Sequence, residues 1–279
     1  MTQKLLEVDR LVVAFPGKGL RRHPTEVLHG VSLEIPEGRT LGLVGESGSG
    51  KTTIGRAILG LAPVTGGHIR FDGADISHVS RRERARLARE VQVVFQDPFS
   101  SLNPSMRVGE ILTEPLTTQK IGRREGNARV RELLDRVGLP TDAVDRLPRE
   151  FSGGQRQRIA IARALALRPR LIVCDEPVSA LDLTTQARVL DLFLEIQRDT
   201  GLSYLFISHD LDVVRHISHD VAVLYRGDIV ERGTAEQVTT DPQDPYTQRL
   251  LLASPLPDPD RQADRRAVRA AQSNVADAA

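Results

Sequence analysis

A chain of 279 residues is long enough to bury a large core, and one domain with additions is its simplest division. The formal net charge of +1 gives no ground for strong electrostatic affinity for nucleic acid or anionic lipid. The single cysteine, Cys174, excludes an intrachain disulfide and a four-cysteine metal or iron–sulfur site and fits a reducing compartment; no apolar run approaches membrane-spanning length, and the N-terminal stretch lacks the apolar core of a signal peptide.

The first elements read as antiparallel strands. Apolar runs Leu11-Val12-Val13-Ala14-Phe15 and Val31-Ser32-Leu33-Glu34-Ile35 flank the turn-rich Pro16-Gly17-Lys18-Gly19. Phe15 is either core or a ring able to stack on a base. Thr40-Leu41-Gly42-Leu43-Val44 then has the length and flanks of a buried strand. From Thr53 the pattern is helical, closed by Gly60 ahead of Pro63. Between them stands Gly45-Glu46-Ser47-Gly48-Ser49-Gly50-Lys51-Thr52. Strand, glycine-rich loop and helix in that order fit the phosphate-binding pattern Gly-x-x-x-x-Gly-Lys-Ser/Thr. The glycines let the loop turn its N–H groups around an anion, and the helix N-terminus adds a favourable dipole. In this reading Lys51 reaches the β- and γ-phosphates and the Thr52 hydroxyl holds Mg²⁺. The implied ligand is a nucleoside triphosphate.

Ile69-Arg70-Phe71 reads as a further strand with a turn at Asp72-Gly73, and residues 81–90 as a charged helix with a solvated face. A strand over 90–95 is broken by Gln96-Asp97-Pro98, after which the pattern turns helical, clearest over 108–116 and 130–137. Phe151-Ser152-Gly153-Gly154-Gln155 opens the next helix, with Ser152 suited to the N-cap; the two glycines expose N–H groups for a second anion or serve the cap alone. Leu171-Ile172-Val173-Cys174 is a buried strand ending in Asp175-Glu176, where a carboxylate can hold Mg²⁺ and its neighbour can orient or deprotonate a water. Asp182 follows Ser179-Ala180-Leu181 as the cap of a helix bearing Val189, Leu192, Phe193 and Ile196 on one face. A strand over 204–207 leads to His209, placed to reach a γ-phosphate, and a hairpin turns at Gly227-Asp228. Beyond Pro255 the composition is that of a mobile tail.

The loop at 45–52, Gln96, residues 151–155, Asp175-Glu176, residues 179–182 and His209 resemble, in order and spacing, the motif set of the ATP-binding cassette ATPases, over roughly residues 5–233. That resemblance implies an α/β fold: a P-loop NTPase (RecA-like) core sheet, an N-terminal antiparallel β subdomain and an inserted α-helical subdomain at about 98–165. It divides the chain into a nucleotide-binding domain, 1–254, and a flexible tail, 255–279. ATP would lie on Gly45, Glu46, Ser47, Gly48, Ser49, Gly50, Lys51, Thr52 and Thr53, with Phe15 at the adenine and Mg²⁺ at Thr52, Gln96 and Asp175. Glu176, His209 and Gln96 would serve hydrolysis, while Ser152, Gly153, Gly154, Gln155 and Asp182 would meet the ATP of a second, identical or different cassette.

The resemblance further implies integral membrane permease subunits, a solute-binding protein outside the membrane, no nucleic acid, and a peripheral place on the cytoplasmic membrane face. Residues 96–104 and 244–251 are similar to segments of the oligopeptide, dipeptide and nickel importer ATPases. Departures are Phe151 where the signature has leucine, an insertion around Arg21-Arg22-His23-Pro24, and Asp244 where that branch has histidine. The cassette of an exporter is the nearer alternative, and a soluble cassette protein acting on DNA or ribosomes the more distant one.

Overall fold

The two apolar runs near the N-terminus are parts of longer strands, β1 (Lys4–Phe15) and β2 (Thr25–Pro36), paired antiparallel. Val31, Leu33 and Ile35 alternate inward along β2, the period-2 pattern of a half-buried strand. With β4 (Gly66–Phe71) and the short β5 (Ala74–Asp75) they form a four-stranded sheet in the order β2-β1-β4-β5. The computed structural model describes residues 3–17, 23–97 and 101–253. The expected tail over 255–279, Pro98 to Ser100 of the segment after Gln96, and Arg21 and Arg22 of the insertion lie outside the described residues.

The second sheet has six strands in the order β10-β9-β3-β8-β7-β6. Here β3 is Thr40–Val44, β6 Val91–Val94, β7 Leu171–Asp175, β8 Ser203–Ser208, β9 Asp220–Tyr225 and β10 Asp228–Thr234. β9, β3, β8, β7 and β6 run parallel; β10 returns antiparallel beside β9. Every residue of β3 and β8 is buried, as covering both faces of a parallel sheet requires.

The faces divide by strict alternation. Leu171 and Val173 of β7 and Leu205 and Ile207 of β8 join a core with α1 (Lys51–Ile58) and the antiparallel strands. Ile172, Cys174, Tyr204 and Phe206 point the other way, into the helical side. That side holds α3 (Val108–Thr118), α4 (Arg123–Arg136), α5 (Gly153–Leu165) and α6 (Leu183–Thr200), linked by one continuous core through Leu112, Leu134, Ile161 and Phe193. The Phe193 ring meets Tyr204 and Phe206 edge-on at 5.5 and 5.7 Å. Cys174 is inert core, its thiol pushed up by burial.

α4 begins well before the apolar signal at Val130, because its first two turns are charged and bury only Gly126. The charged α2 (Arg81–Leu87) buries no residue and starts with a capping box of Ser80 and Glu83. The chain closes with α7 (Leu211–Ile217), α8 (Ala235–Thr240) and α9 (Pro245–Ala253).

Candidate functional site

Register brings the site together. Val44 at the end of β3 lies opposite Ser208 of β8, Asp175 of β7 opposite Ile207, and Val94 of β6 opposite Cys174. The carboxyl ends of four parallel strands therefore open on one edge, where loops gather ligands in sheets of this kind. From β3 comes the glycine-rich loop, from β6 Gln96, from β7 Asp175 and Glu176, and from β8 His209.

The loop is shaped by close packing. Gly45 has φ +154°, and a Cβ there would lie 2.1 Å from the Leu224 carbonyl oxygen of β9, so only glycine fits. Gly50 caps α1 at φ 110° with no side-chain cap bond. Lys51 turns back over the loop: its ammonium donates to the carbonyls of Gly45 at 2.7 Å and Glu46 at 2.8 Å. It is only 4% exposed, and burial lowers its pKa.

Thr52 Oγ1 donates to Asp175 Oδ1 at 2.9 Å, across 123 residues of sequence. Burial raises the pKa of Asp175, against the lowering influence of the Thr52 hydroxyl. Glu176 takes φ 47°, a left-handed conformation that costs a non-glycine residue free energy and occurs at functional sites. Its backbone N–H donates to the Ile207 carbonyl at 3.0 Å, which holds it beside the end of β8. Its Oε2 then collects two partners, Gln96 Nε2 and His209 Nδ1, each at 3.1 Å. Ser179 Oγ donates to the Glu176 carbonyl and accepts from Gln96 at 3.4 Å, tying the turn after β7 to the same cluster.

Gly45, Glu46, Ser47, Gly48, Gly50, Lys51, Thr52, Thr53, Gln96, Glu176 and His209 line a cleft of about 610 Å³, while Ser49, Asp175 and Ser179 are not part of its lining. Val27 of β2 and Leu250 of α9 complete its wall; no motif marks Val27, and the importer-like stretch 244–251 gives Leu250 no role at the nucleotide. Phe15 is 39% exposed at the end of β1, so it is not core, and it does not line the cleft. Ser152, Gly153, Gly154 and Gln155 form the start of α5, also outside the cleft. Ser152 Oγ accepts from Gln155 N at 3.3 Å, and Gln155 Oε1 accepts from Ser152 N at 3.0 Å. Gly154 has a packing reason of its own: a Cβ there would sit 2.3 Å from Thr185 Cγ2 of α6. Asp182 caps α6 by accepting from Thr185 N at 3.0 Å, and hydrogen bonding to the Thr185 side chain and then to this N–H lowers its pKa.

Asp244 also has a local role. Its Oδ1 accepts from Tyr246 N at 2.7 Å and Thr247 N at 3.4 Å, capping α9.

Known proteins resemble this chain in sequence and in fold. The ABC transporter family profile matches residues 28–179. A protein of Brucella ovis named as a peptide import ATP-binding protein is 51% identical over 259 residues, covering 90% of this chain and 82% of its own. The solved structure of cbiO1 from Clostridium perfringens, part of the ABC transporter complex cbiONQ, superposes with a TM-score of 0.76 at 27% identity, over 86% of this chain and 92% of that one. The ATP-binding cassette MJ0796, a dimer in a post-hydrolysis state with ADP and Pi, gives 0.73 at 28% identity, over 82% and 98%. The chain belongs to the ABC transporter family, as one of its ATP-hydrolysing members.

Proposed function

We propose that this chain is the energy-coupling subunit of a peptide-type importer, hydrolysing ATP in the cleft to drive uptake through separate membrane subunits. The observation that carries the chemistry is the meeting of Gln96 and His209 on one carboxylate oxygen of Glu176, beside Lys51 and Thr52. In this reading the loop amides and the Lys51 ammonium bind the phosphates, and Glu176 takes the proton of the attacking water. Gln96 and His209 hold the carboxylate in place for that transfer. Thr52 and Asp175 present hard oxygen donors within 2.9 Å of each other, a set that suits Mg²⁺. Held there, Mg²⁺ would supply charge neutralisation for the phosphates. The burial that disfavours ionised Asp175 is what a cation beside it offsets.

Peptide cargo is supported by the name of the Brucella relative and by the likeness of residues 96–104 and 244–251 to peptide and nickel importer ATPases. Head-to-tail pairing of two cassettes is supported by the dimeric MJ0796 structure and by the position of Ser152 and Gly153 outside their own cleft. ATP held by one loop and covered by the other chain's Ser152, Gly153 and Gly154 would favour the closed pair by its differential affinity. Asp182 and Gln155 would lie in the same seam, and Phe15 would take the adenine.

Partnership with permease subunits is supported by the cbiONQ complex around cbiO1. Among the described residues no helix is long and apolar enough to cross a membrane. The assembly would sit on the cytoplasmic membrane face and receive solute from an extracytoplasmic binding protein. Within the chain, 1–254 would form the nucleotide-binding domain, its helical subdomain about 98–165 passing motion from Gln96 to the permease, with 255–279 a flexible tail.

Uptake of labelled di- and oligopeptides tests this in cells lacking the chain, complemented by wild type or Glu176→Gln. Restoration by wild type alone is expected. Unchanged uptake of peptides, glutathione and nickel after deletion would argue against the branch, and full rescue by Glu176→Gln against the coupling role.

A further inference from the structure

One peptide group of the phosphate loop is gripped from both ends. The Gly45 carbonyl accepts from Lys51 Nζ at 2.7 Å, and the N–H of the same peptide, on Glu46, donates to the Tyr246 hydroxyl at 2.9 Å. Tyr246 belongs to α9, 200 residues further along the chain and outside the segment matched by the family profile.

The tyrosine is itself held firmly. It is 5% exposed, and its ring lies 4.2 Å from that of Tyr225 at the end of β9, tilted by 36°. Glu231 of β10 accepts from Gln243 N at 2.7 Å and Asp244 N at 3.2 Å, and Asp244 caps the helix at Tyr246. Four residues on, Leu250 of the same helix lines the nucleotide cleft. The path runs without a gap from β10 through α9 to the peptide that seats the Lys51 ammonium.

We infer that Tyr246 is a positioning residue of the phosphate loop, its hydroxyl fixing the Gly45–Glu46 peptide so that Lys51 is presented to the nucleotide in its binding geometry. The inference rests on the reading of the cleft as the ATP site. The physical effect is preorganisation. Without the hydroxyl the peptide is free to rotate, its carbonyl leaves the ammonium, and the ordering of the loop must be met from the free energy of nucleotide binding. A hydroxyl present only to satisfy packing would instead act on stability alone.

Tyr246→Phe keeps the ring on Tyr225 and deletes the one hydrogen bond. Equilibrium ATP binding, without Mg²⁺ so that no turnover occurs, is measured on the full chain as wild type, Tyr246→Phe and Lys51→Ala, below the melting temperature of each nucleotide-free protein. The expected result is a dissociation constant for Tyr246→Phe raised about 3- to 10-fold, the size of one lost hydrogen bond, while Lys51→Ala loses more. In ATP turnover with the partner cassette, KM should rise more than kcat falls. An unchanged dissociation constant in Tyr246→Phe, beside tight wild-type binding and weak Lys51→Ala binding, overturns this inference alone, whatever the melting temperatures. Wild-type protein that binds no ATP overturns the reading of the cleft and this inference with it.

Discussion

Two glycine-marked helix starts, at α1 and α5, are finished in opposite ways. α1 is capped by Gly50 in a left-handed conformation, with no side chain on its terminal N–H groups. α5 is closed by a reciprocal pair in which Ser152 and Gln155 each satisfy the other's backbone N–H. A helix end whose donors its own side chains leave alone is suited to an anion. A helix end already capped is stable by itself, and its glycines answer to other demands. For Gly154 that demand is the approach of Thr185 on α6. Both stretches look like phosphate sites as strings of letters, but of the two the first alone lines the cleft described above.

The comparison can be broken first at the chemistry, where the effect should be largest. Glu176→Gln keeps size and hydrogen bonding but removes the basicity. Steady-state turnover should fall about 10²–10⁴-fold, the usual worth of a positioned base, while ATP affinity in a binding assay holds. Wild-type turnover in that variant would mean that the base lies elsewhere.

Next come the two helix starts themselves. Lys51→Ala should lower the ATP affinity of the isolated chain about 10²-fold, because charge-assisted contacts to phosphate are lost. A Glu176→Gln protein, unable to hydrolyse ATP, should form an ATP-dependent dimer with the partner cassette on gel filtration; Ser152→Arg should leave single-chain affinity alone and prevent that dimer. Equal losses of single-chain affinity in both variants would erase the distinction between the two starts.

Gly154→Ala sharpens the same point at the level of stability. With Thr185 in the way, overpacking should cost about 1–3 kcal/mol in denaturant unfolding of the nucleotide-free chain. Gly153→Ala, whose nearest neighbour would be Leu181 at 3.7 Å, should cost less. A reversed order would remove the packing explanation for Gly154.

The smallest effect concerns Asp175, and its sign follows from linkage. Burial raises its pKa in the folded chain above the unfolded value near 3.8, so ionising it disfavours folding. That cost is absent below the unfolded pKa and complete above the folded one. Asp175→Asn should therefore melt higher than wild type at neutral pH without nucleotide, and the gain should shrink as the pH falls toward 3.8. A variant that melts lower at neutral pH would show that the Thr52 bond outweighs the burial.

Legibility differed by element. The buried strands β3, β7 and β8 were readable as apolar runs because both of their faces are covered. α4 was readable only from Val130, since a charged helix start carries no periodic signal. β1 and β2 looked short because their outer halves alternate with polar residues and bulge. In the site, Lys51, Thr52, Asp175 and Glu176 could be named from strand–loop contexts, each a few residues long. Val27, Leu250 and the Tyr246 hydroxyl could not, because nothing near them in sequence refers to the loop. Tyr246 and Leu250 lie in the stretch similar to one branch of importers, and that resemblance carries no sign of their place at the loop.

What the amino-acid sequence determined by itself was local: the loop whose glycines permit its turns, the strand that feeds it, the acids at the end of β7, and the caps of α5 and α6. Those depend on backbone conformation and on hydrogen bonds a few residues apart, which neighbouring side chains dictate. Tertiary structure decided which ends share an edge. Parallel register brought Gln96 and His209 to one carboxylate oxygen of Glu176, and the packing of the remaining elements left Ser152 outside the cleft and returned α9 to the loop. Such contacts join residues 33 to 200 positions apart, and their geometry is set by how whole sheets and helices pack, a property no short stretch of chain contains.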